Sequence, residues 1–255
     1  EIERVECNFG DPGVPCDLPE EEMEPGLDWE RWLGPAPERP YHSILSPRGI
    51  HNNFPRWRNY REYGGGMVTD WGAHHLDIAQ WGLGMDGSGP VEIIPPEDPD
   101  ARRGCTLKYA NGVTVTHGGG IGVEFHGSKG LVQVSRGKFA LTIDGKVKYK
   151  ALSSEDKSVT SQYTLAEREF LENAEVKLYK STGHVPDFLQ AVANRTKPIT
   201  DEVVGGGSAV CCHLMNIGYY FNANVKWDPE TNEFADDTGD PAWLTREYRA
   251  PYSFG

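Results

Sequence analysis

Asp70, His74 and Asp77 fall at intervals of four and three residues, a spacing that on a helix lines them along one stripe. A carboxylate beside an imidazole favours the imidazolium, can fix the ring tautomer, and moves a titration that already lies near neutrality. That is the equipment of a general base for a hydroxyl proton. Gly72, one turn away, would leave room for a ligand or a cofactor ring to approach the helix backbone. The same spacing has two other readings. Asp70 and His74 can be an ordinary i, i+4 surface pair contributing a few tenths of a kcal/mol, or the three residues can be ligands of a metal ion. No H-E-x-x-H or comparable set completes a metal site, so none is expected. His75 and Asp77 taken singly fit structural roles, because a polar residue on a buried helix commonly satisfies a backbone group.

The element that must carry these residues is a helix predicted from Met67 to about Gly82. Gly64-Gly65-Gly66 introduces it, Gly82 and Gly84 end it, and Val68, Trp71, Ile78 and Trp81 anchor it. Before it, Val5, Cys7 and Phe9 alternate with polar residues as in a half-buried strand. Residues 10–55 then read as a long wrapped loop holding one helical turn, Asp28 to Leu33, capped by Asp28. Trp29, Trp32, Tyr41 and Phe54 in that loop are expected to pack down on the domain. After the helix the period becomes two. Cys105 to Tyr109, Val113 to His117, Val123 to Phe125, Val132 to Val134, Phe139 to Ile143 and Val147 to Tyr149 predict an antiparallel meander of about six strands, with hairpin turns at Asn111-Gly112 and Asp144-Gly145.

Residues 151–183 are polar, with a short helix expected around Leu165 to Ala174. A later helix, Val185 to Ala193, places Val185, Phe188, Leu189 and Val192 on one stripe, the pattern of a buried face. Another runs from Asp201 or Glu202 to about Asn222. Its Gly205-Gly206-Gly207 implies a late start or tight packing. An edge strand at Val225-Lys226-Trp227 and a tail over 228–255 close the chain. Strands gathered in the middle with helices at either end predict an α+β fold: an open, mostly antiparallel sheet of six or more strands with helices on one face, in one domain spanning 1–255.

The net charge of −13 excludes an electrostatic grip on nucleic acid or an anionic membrane, and no apolar run is long enough to cross one. A small neutral or cationic ligand fits the composition better. The five cysteines are scattered without a C-x-x-C pair, as buried reduced thiols would be. A G-x-G-x-x-G at Gly82, Gly84 and Gly87 follows a helix instead of a strand and is expected to be a helix-stop loop.

The run Trp57-Arg58-Asn59-Tyr60-Arg61-Glu62-Tyr63-Gly64-Gly65-Gly66, followed by Thr69-Asp70-Trp71-Gly72-Ala73-His74-His75-Leu76-Asp77-Ile78-Ala79-Gln80-Trp81, resembles the Gfo/Idh/MocA oxidoreductases, in particular a bacterial branch. Leu27-Asp28-Trp29, Trp32 to Pro37, Cys212-His213-Leu214, Asn216-Ile217, Trp227-Asp228-Pro229 and Tyr248 to Pro251 extend the resemblance over nearly the whole chain. It implies the C-terminal substrate-binding and oligomerising domain of an NAD- or NADP-dependent enzyme acting on a sugar, polyol or related CH–OH substrate. The family's N-terminal Rossmann domain and its E-K-P lysine have no counterpart in these residues, so the chain alone is expected to be inactive. The resemblance also implies His74 as catalytic acid/base and Asp70 as its partner, with Trp57, Arg58, Tyr60, Tyr63 and His75 at the substrate. The four residues 57, 58, 60 and 63 equally suit an ordinary core. His42 and His51 are candidates to reach the same pocket. A homo-oligomer through the sheet face and a cytoplasmic location, or a periplasmic one given an export signal, complete the expectation. The alternatives are an NAD-dependent glycosidase of the same superfamily and a non-catalytic assembly module.

Overall fold

In a computed structural model, which describes residues 1–49, 54–151, 159–181 and 183–253, the opening alternation becomes β1 (Ile2–Cys7), with Val5 and Cys7 fully buried and Arg4 and Glu6 on the opposite face. α1 (Trp29–Leu33) begins where Asp28 accepts a hydrogen bond from the Arg31 amide at 3.0 Å. A 3₁₀ turn, Arg56–Asn59, precedes α2 (Trp71–Leu83). The strands β2 (Glu92–Ile94), β3 (Thr106–Lys108), β4 (Thr114–His117), β5 (Val123–Gly127), β6 (Gly130–Ser135), β7 (Lys138–Ile143) and β8 (Lys146–Tyr149) follow. α3 (Val159–Ala166) runs into a π-helical turn, Glu167–Leu171. The chain ends with α4 (His184–Asn194), α5 (Glu202–Phe221), β9 (Val225–Asp228), β10 (Glu233–Ala235) and a 3₁₀ turn at Pro241–Leu244.

The strands form one sheet in the order β10-β9-β2-β3-β4-β1-β5-β6-β7-β8. Every neighbouring pair is antiparallel except β1 with β4. The α+β class and the open antiparallel sheet are as expected, but the meander is not continuous. β1 enters between β4 and β5, and β10 lies outside β9, so β9 is not an edge. β2 and β10 were not anticipated, since three residues are too few to establish a period. Gly112, at φ +87°, turns the β3–β4 hairpin, while Asp144 and Gly145, at +47° and +72°, turn β7 into β8.

α2 and α5 cover one face. The Gly82 backbone sits so close to the sheet that an added Cβ would lie 2.5 Å from the Phe125 ring, and at Gly218 it would lie 2.5 Å from the Cys105 sulfur. Between helices and sheet lies the core of Val5, Phe9, Leu76, Leu107, Tyr109, Val115, Leu214, Met215 and their neighbours. Four of the five cysteines are buried there as free thiols, whereas Cys16 is only half-buried. The other face carries cross-strand polar pairs, such as Thr106 with Thr116 at 2.9 Å and Lys108 with Glu92 at 3.3 Å.

Four helix expectations need correction. α2 starts at Trp71 instead of Met67, because the Met67 amide is tied to the Asp11 carbonyl at 2.8 Å and Gly66 lies at φ +76°, holding the chain outside helical geometry. The helix expected near Leu165 to Ala174 lies earlier. α5 runs straight through Gly205 and Gly206, which touch nothing that a Cβ would meet, and nothing in the structure explains them. The fourth is α4, whose apolar stripe is exposed: Val185, Phe188, Leu189 and Val192 are 67, 58, 59 and 49% accessible.

Candidate functional site

The site region is built on the turn before α2. An added Cβ at Gly66 would lie 2.3 Å from the Gly13 nitrogen, so the two backbones approach as only glycine permits. Asn216 on α5, itself buried, donates from Nδ2 to the Gly65 carbonyl at 2.7 Å. Thr69 Oγ1 donates to the Gly64 and Gly66 carbonyls at 3.0 and 3.1 Å. The start of α2 is thus bolted to the loop at residues 11–13 and to α5.

From that start, α2 sorts its residues by face. Gly72, His75, Leu76, Ala79 and Gln80 point inward. The His75 ring is held by Nδ1–H donating to the Asn8 carbonyl at 2.7 Å, and burial pulls its pKa down, with His74 and Arg136 adding to the effect. His75 is therefore placed as a packing residue and not at an open surface. Gly72 also differs from expectation. Its missing Cβ would sit 3.5 Å from the Phe9 ring, so the glycine faces the core and offers no approach to an outside ring.

His74 lies on the outer side and is exposed, as is Trp71, whose ring centroid is 5.9 Å from that of His74 in an edge-on arrangement. Two surface cavities, of about 360 and 280 Å³, lie elsewhere, beside β2, β3 and β9 and beside α4. His74 is open to water and lines neither cavity, so the described residues alone do not enclose it in the dry, shaped surroundings that make proton transfer selective.

Asp70 is not on the helical stripe. It occupies the position before α2, does not cap it, and turns its carboxylate to the Arg58 guanidinium in a short ion pair. The expected Asp70–His74 pair is replaced by Asp70–Arg58, because the later helix start points the carboxylate back toward the 3₁₀ turn. Asp77 accepts a hydrogen bond from Ser208 at 2.9 Å, linking α2 to α5. Neither carboxylate joins His74 in a ligand set.

Arg58 also lies 5.1 Å from the Trp57 ring centroid and 5.0 Å from that of Phe54. Trp57, Tyr60 and Tyr63 are all half-buried. Burial pushes the Tyr63 hydroxyl up to about 12 and raises that of Tyr60. Tyr63 continues an aromatic series with Trp32, Trp29 and Tyr41 at 5.4, 4.5 and 5.3 Å between successive centroids, so the wrapped loop does pack down. Phe54 is the exception at 82% exposed. His42 turns into its own loop, accepting from the Ile44 amide at 3.0 Å with Nε2 3.3 Å from Glu21. His51 lies outside the described residues.

Arg136 is not among the residues anticipated from the sequence. From the turn between β6 and β7 its guanidinium reaches to 4.7 Å above the Trp71 ring. No local motif announces it, since Arg136-Gly137 reads only as a turn. A second missed group, Glu6, Glu124 and His126, gathers on the opposite sheet face with ligand atoms within 4.8 Å of one another. There Arg4 donates to His126 Nδ1 at 3.1 Å, which puts the proton of the neutral ring on Nε2 and blocks the lone pair a metal would use.

Residues 13–155 match the model of an oxidoreductase family, C-terminal alpha/beta domain, which is more than half of the chain. No curated protein matches. Among solved structures, the aldose-aldose oxidoreductase of Caulobacter crescentus complexed with glycerol is 12% identical, with a TM-score of 0.46 over 88% of this chain and 55% of that one. The WlbA dehydrogenase of Bordetella pertussis, in complex with NADH and UDP-GlcNAcA, is 15% identical, with a TM-score of 0.47 over 89% and 57%. An oxidoreductase structure from Thermotoga maritima is 10% identical, with a TM-score of 0.44 over 89% and 55%. The chain spans a little over half the length of these structures.

Proposed function

The chain belongs to the Gfo/Idh/MocA oxidoreductase family, as a C-terminal alpha/beta domain, and from that premise we propose that it forms the substrate-binding half of an NAD- or NADP-dependent enzyme oxidising a sugar, polyol or related CH–OH compound. The observation that carries the reading is His74, held outward on a helix whose start and inner face are fixed by Gly66, Asn216 and His75. Oxidation of a CH–OH carbon releases a proton from oxygen and a hydride from carbon, and the nicotinamide is the hydride acceptor. His74 takes the proton.

None of the glycines singled out in the sequence forms a phosphate-binding loop. Gly72 faces Phe9, Gly82 lies within α2 against the Phe125 ring, Gly84 is the left-handed cap that ends the helix, and Gly87 turns the loop beyond it. The cofactor is therefore assigned to a segment outside these 255 residues, which also encloses His74. Trp57, Arg58, Tyr60 and Tyr63 bind the sugar through partly open aromatic faces and planar donors. Asp70 is a positioning residue, fixing Arg58 instead of orienting His74. The polar face of the sheet, opposite α2 and α5, is the surface for a homo-oligomer. No helix of the described residues is long and apolar enough to cross a membrane.

The test is to incubate the complete protein with NAD or NADP and a panel of sugars and polyols. Stoichiometric nucleotide reduction is expected. Glycosidic bond cleavage without net reduction would assign the chain to a glycosidase, and turnover of nothing in the panel would leave the assembly-module reading standing.

A further inference from the structure

We infer that Arg136 is an anion-recognition residue of the α2 site, so that the ligand brought against His74 carries an oxyanion, a carboxylate or a phosphate, in addition to its hydroxyls. The inference rests on the reading of the α2 outer face as the substrate face and narrows the substrate class.

Arg136 is exposed at the tip of the β6–β7 hairpin, where Gly137, at φ +67°, makes the reversal. Its guanidinium centre lies 4.7 Å from the Trp71 ring centroid, and the same ring meets His74 edge-on at 5.9 Å. The indole thus holds both the cation and the imidazole. A guanidinium resting on an aromatic face keeps its in-plane N–H edge free, and that edge matches two oxygens of a carboxylate or phosphate.

The balance and pairing of charges support the assignment. The chain carries 38 acidic against 25 basic side chains. Arg58, before α2, is taken by Asp70, and Arg102 and Arg103 are taken by Asp11 at 2.9 and 2.8 Å. Among the described residues, Arg136 has no carboxylate within ion-pair distance, and its donors make no hydrogen bond. The indole keeps in place a cation whose counter-charge the described residues do not provide. A neutral polyol would leave that cation with water alone as its partner, whereas an oxyanion would give it a counter-charge.

The oxyanion can belong to the substrate or to the cofactor's phosphates, and one experiment separates them. The complete protein is labelled with 5-fluorotryptophan, and the Trp71 fluorine signal is identified by its loss in Trp71→Phe. D-glucuronate, inorganic phosphate, NAD and D-glucose are then titrated separately. Glucuronate and phosphate are expected to move the Trp71 signal at concentrations about tenfold or more below glucose, as a charge-assisted bidentate contact implies. Arg136→Gln should abolish the difference, while Arg136→Lys, which keeps the charge and loses the fork, should retain part of it. Response to NAD and phosphate without glucuronate would keep the oxyanion assignment and give it to the cofactor. Equal response to glucose and glucuronate, or an anion response that survives Arg136→Gln, would overturn it. Binding is read without turnover, so this result stands apart from the proton-transfer role of His74.

Discussion

α2 turns Leu76, Ala79 and the ring of His75 into the core, whereas α4, with the more regular apolar stripe, keeps Val185, Phe188, Leu189 and Val192 outside and buries its Asp187. The buried carboxylate is satisfied by the Tyr179 hydroxyl at 2.6 Å and the Ile199 amide at 3.2 Å. Periodicity tells which residues share a face. It does not tell what covers that face, and the two helices separate those statements: for α2 the sheet is the cover, and for α4 none of the described residues is.

Substitutions on the two helices and beneath them should differ in cost. Leu76→Ala empties a fully enclosed site and should cost about 3 kcal/mol or more in denaturant unfolding. Gly66→Ala should cost about 3 kcal/mol, from a left-handed backbone and a Cβ driven against Gly13. His117, the last residue of β4, is buried against α5 with Tyr219 Oη 2.7 Å from its Nδ1, and burial pulls its pKa down to about 3. Its folded pKa lies below its unfolded value, so the unfolded chain takes the proton first and stability falls as pH drops from about 6.5 toward 3. The loss from this residue between pH 7 and pH 5 should be about 1–2 kcal/mol, and His117→Gln should remove that part of the slope. Phe188→Ser on α4 should change stability by no more than about 0.5 kcal/mol. A loss there as large as that of Leu76→Ala would mean that α4 is covered after all.

What was legible in the sequence was local. The bounds of α5 follow from Asp201, whose carboxylate accepts from the Val203 and Val204 amides, and from Asn222 in the left-handed region. The hairpins follow from Asn111-Gly112 and Asp144-Gly145. What was not legible depends on distant partners. Strand β1 shows its period in its own residues but not its insertion between β4 and β5. The late start of α2 depends on the Asp11 carbonyl, and the turning of Asp70 on Arg58. Arg136 reaches Trp71 only because α2 packs on the sheet that carries the β6–β7 hairpin. His74 is singled out by its neighbours in the motif, yet its exposure could be learned only from the fold.

The role we propose for His74 is transfer of the hydroxyl proton. Its most direct test is the single-turnover rate of His74→Ala in the complete protein, with the substrate identified from the sugar panel. A fall of about 10²-fold or more, with substrate binding and the unfolding midpoint nearly unchanged, is predicted. A rate equal to that of the unmodified protein would mean that His74 does not transfer the proton.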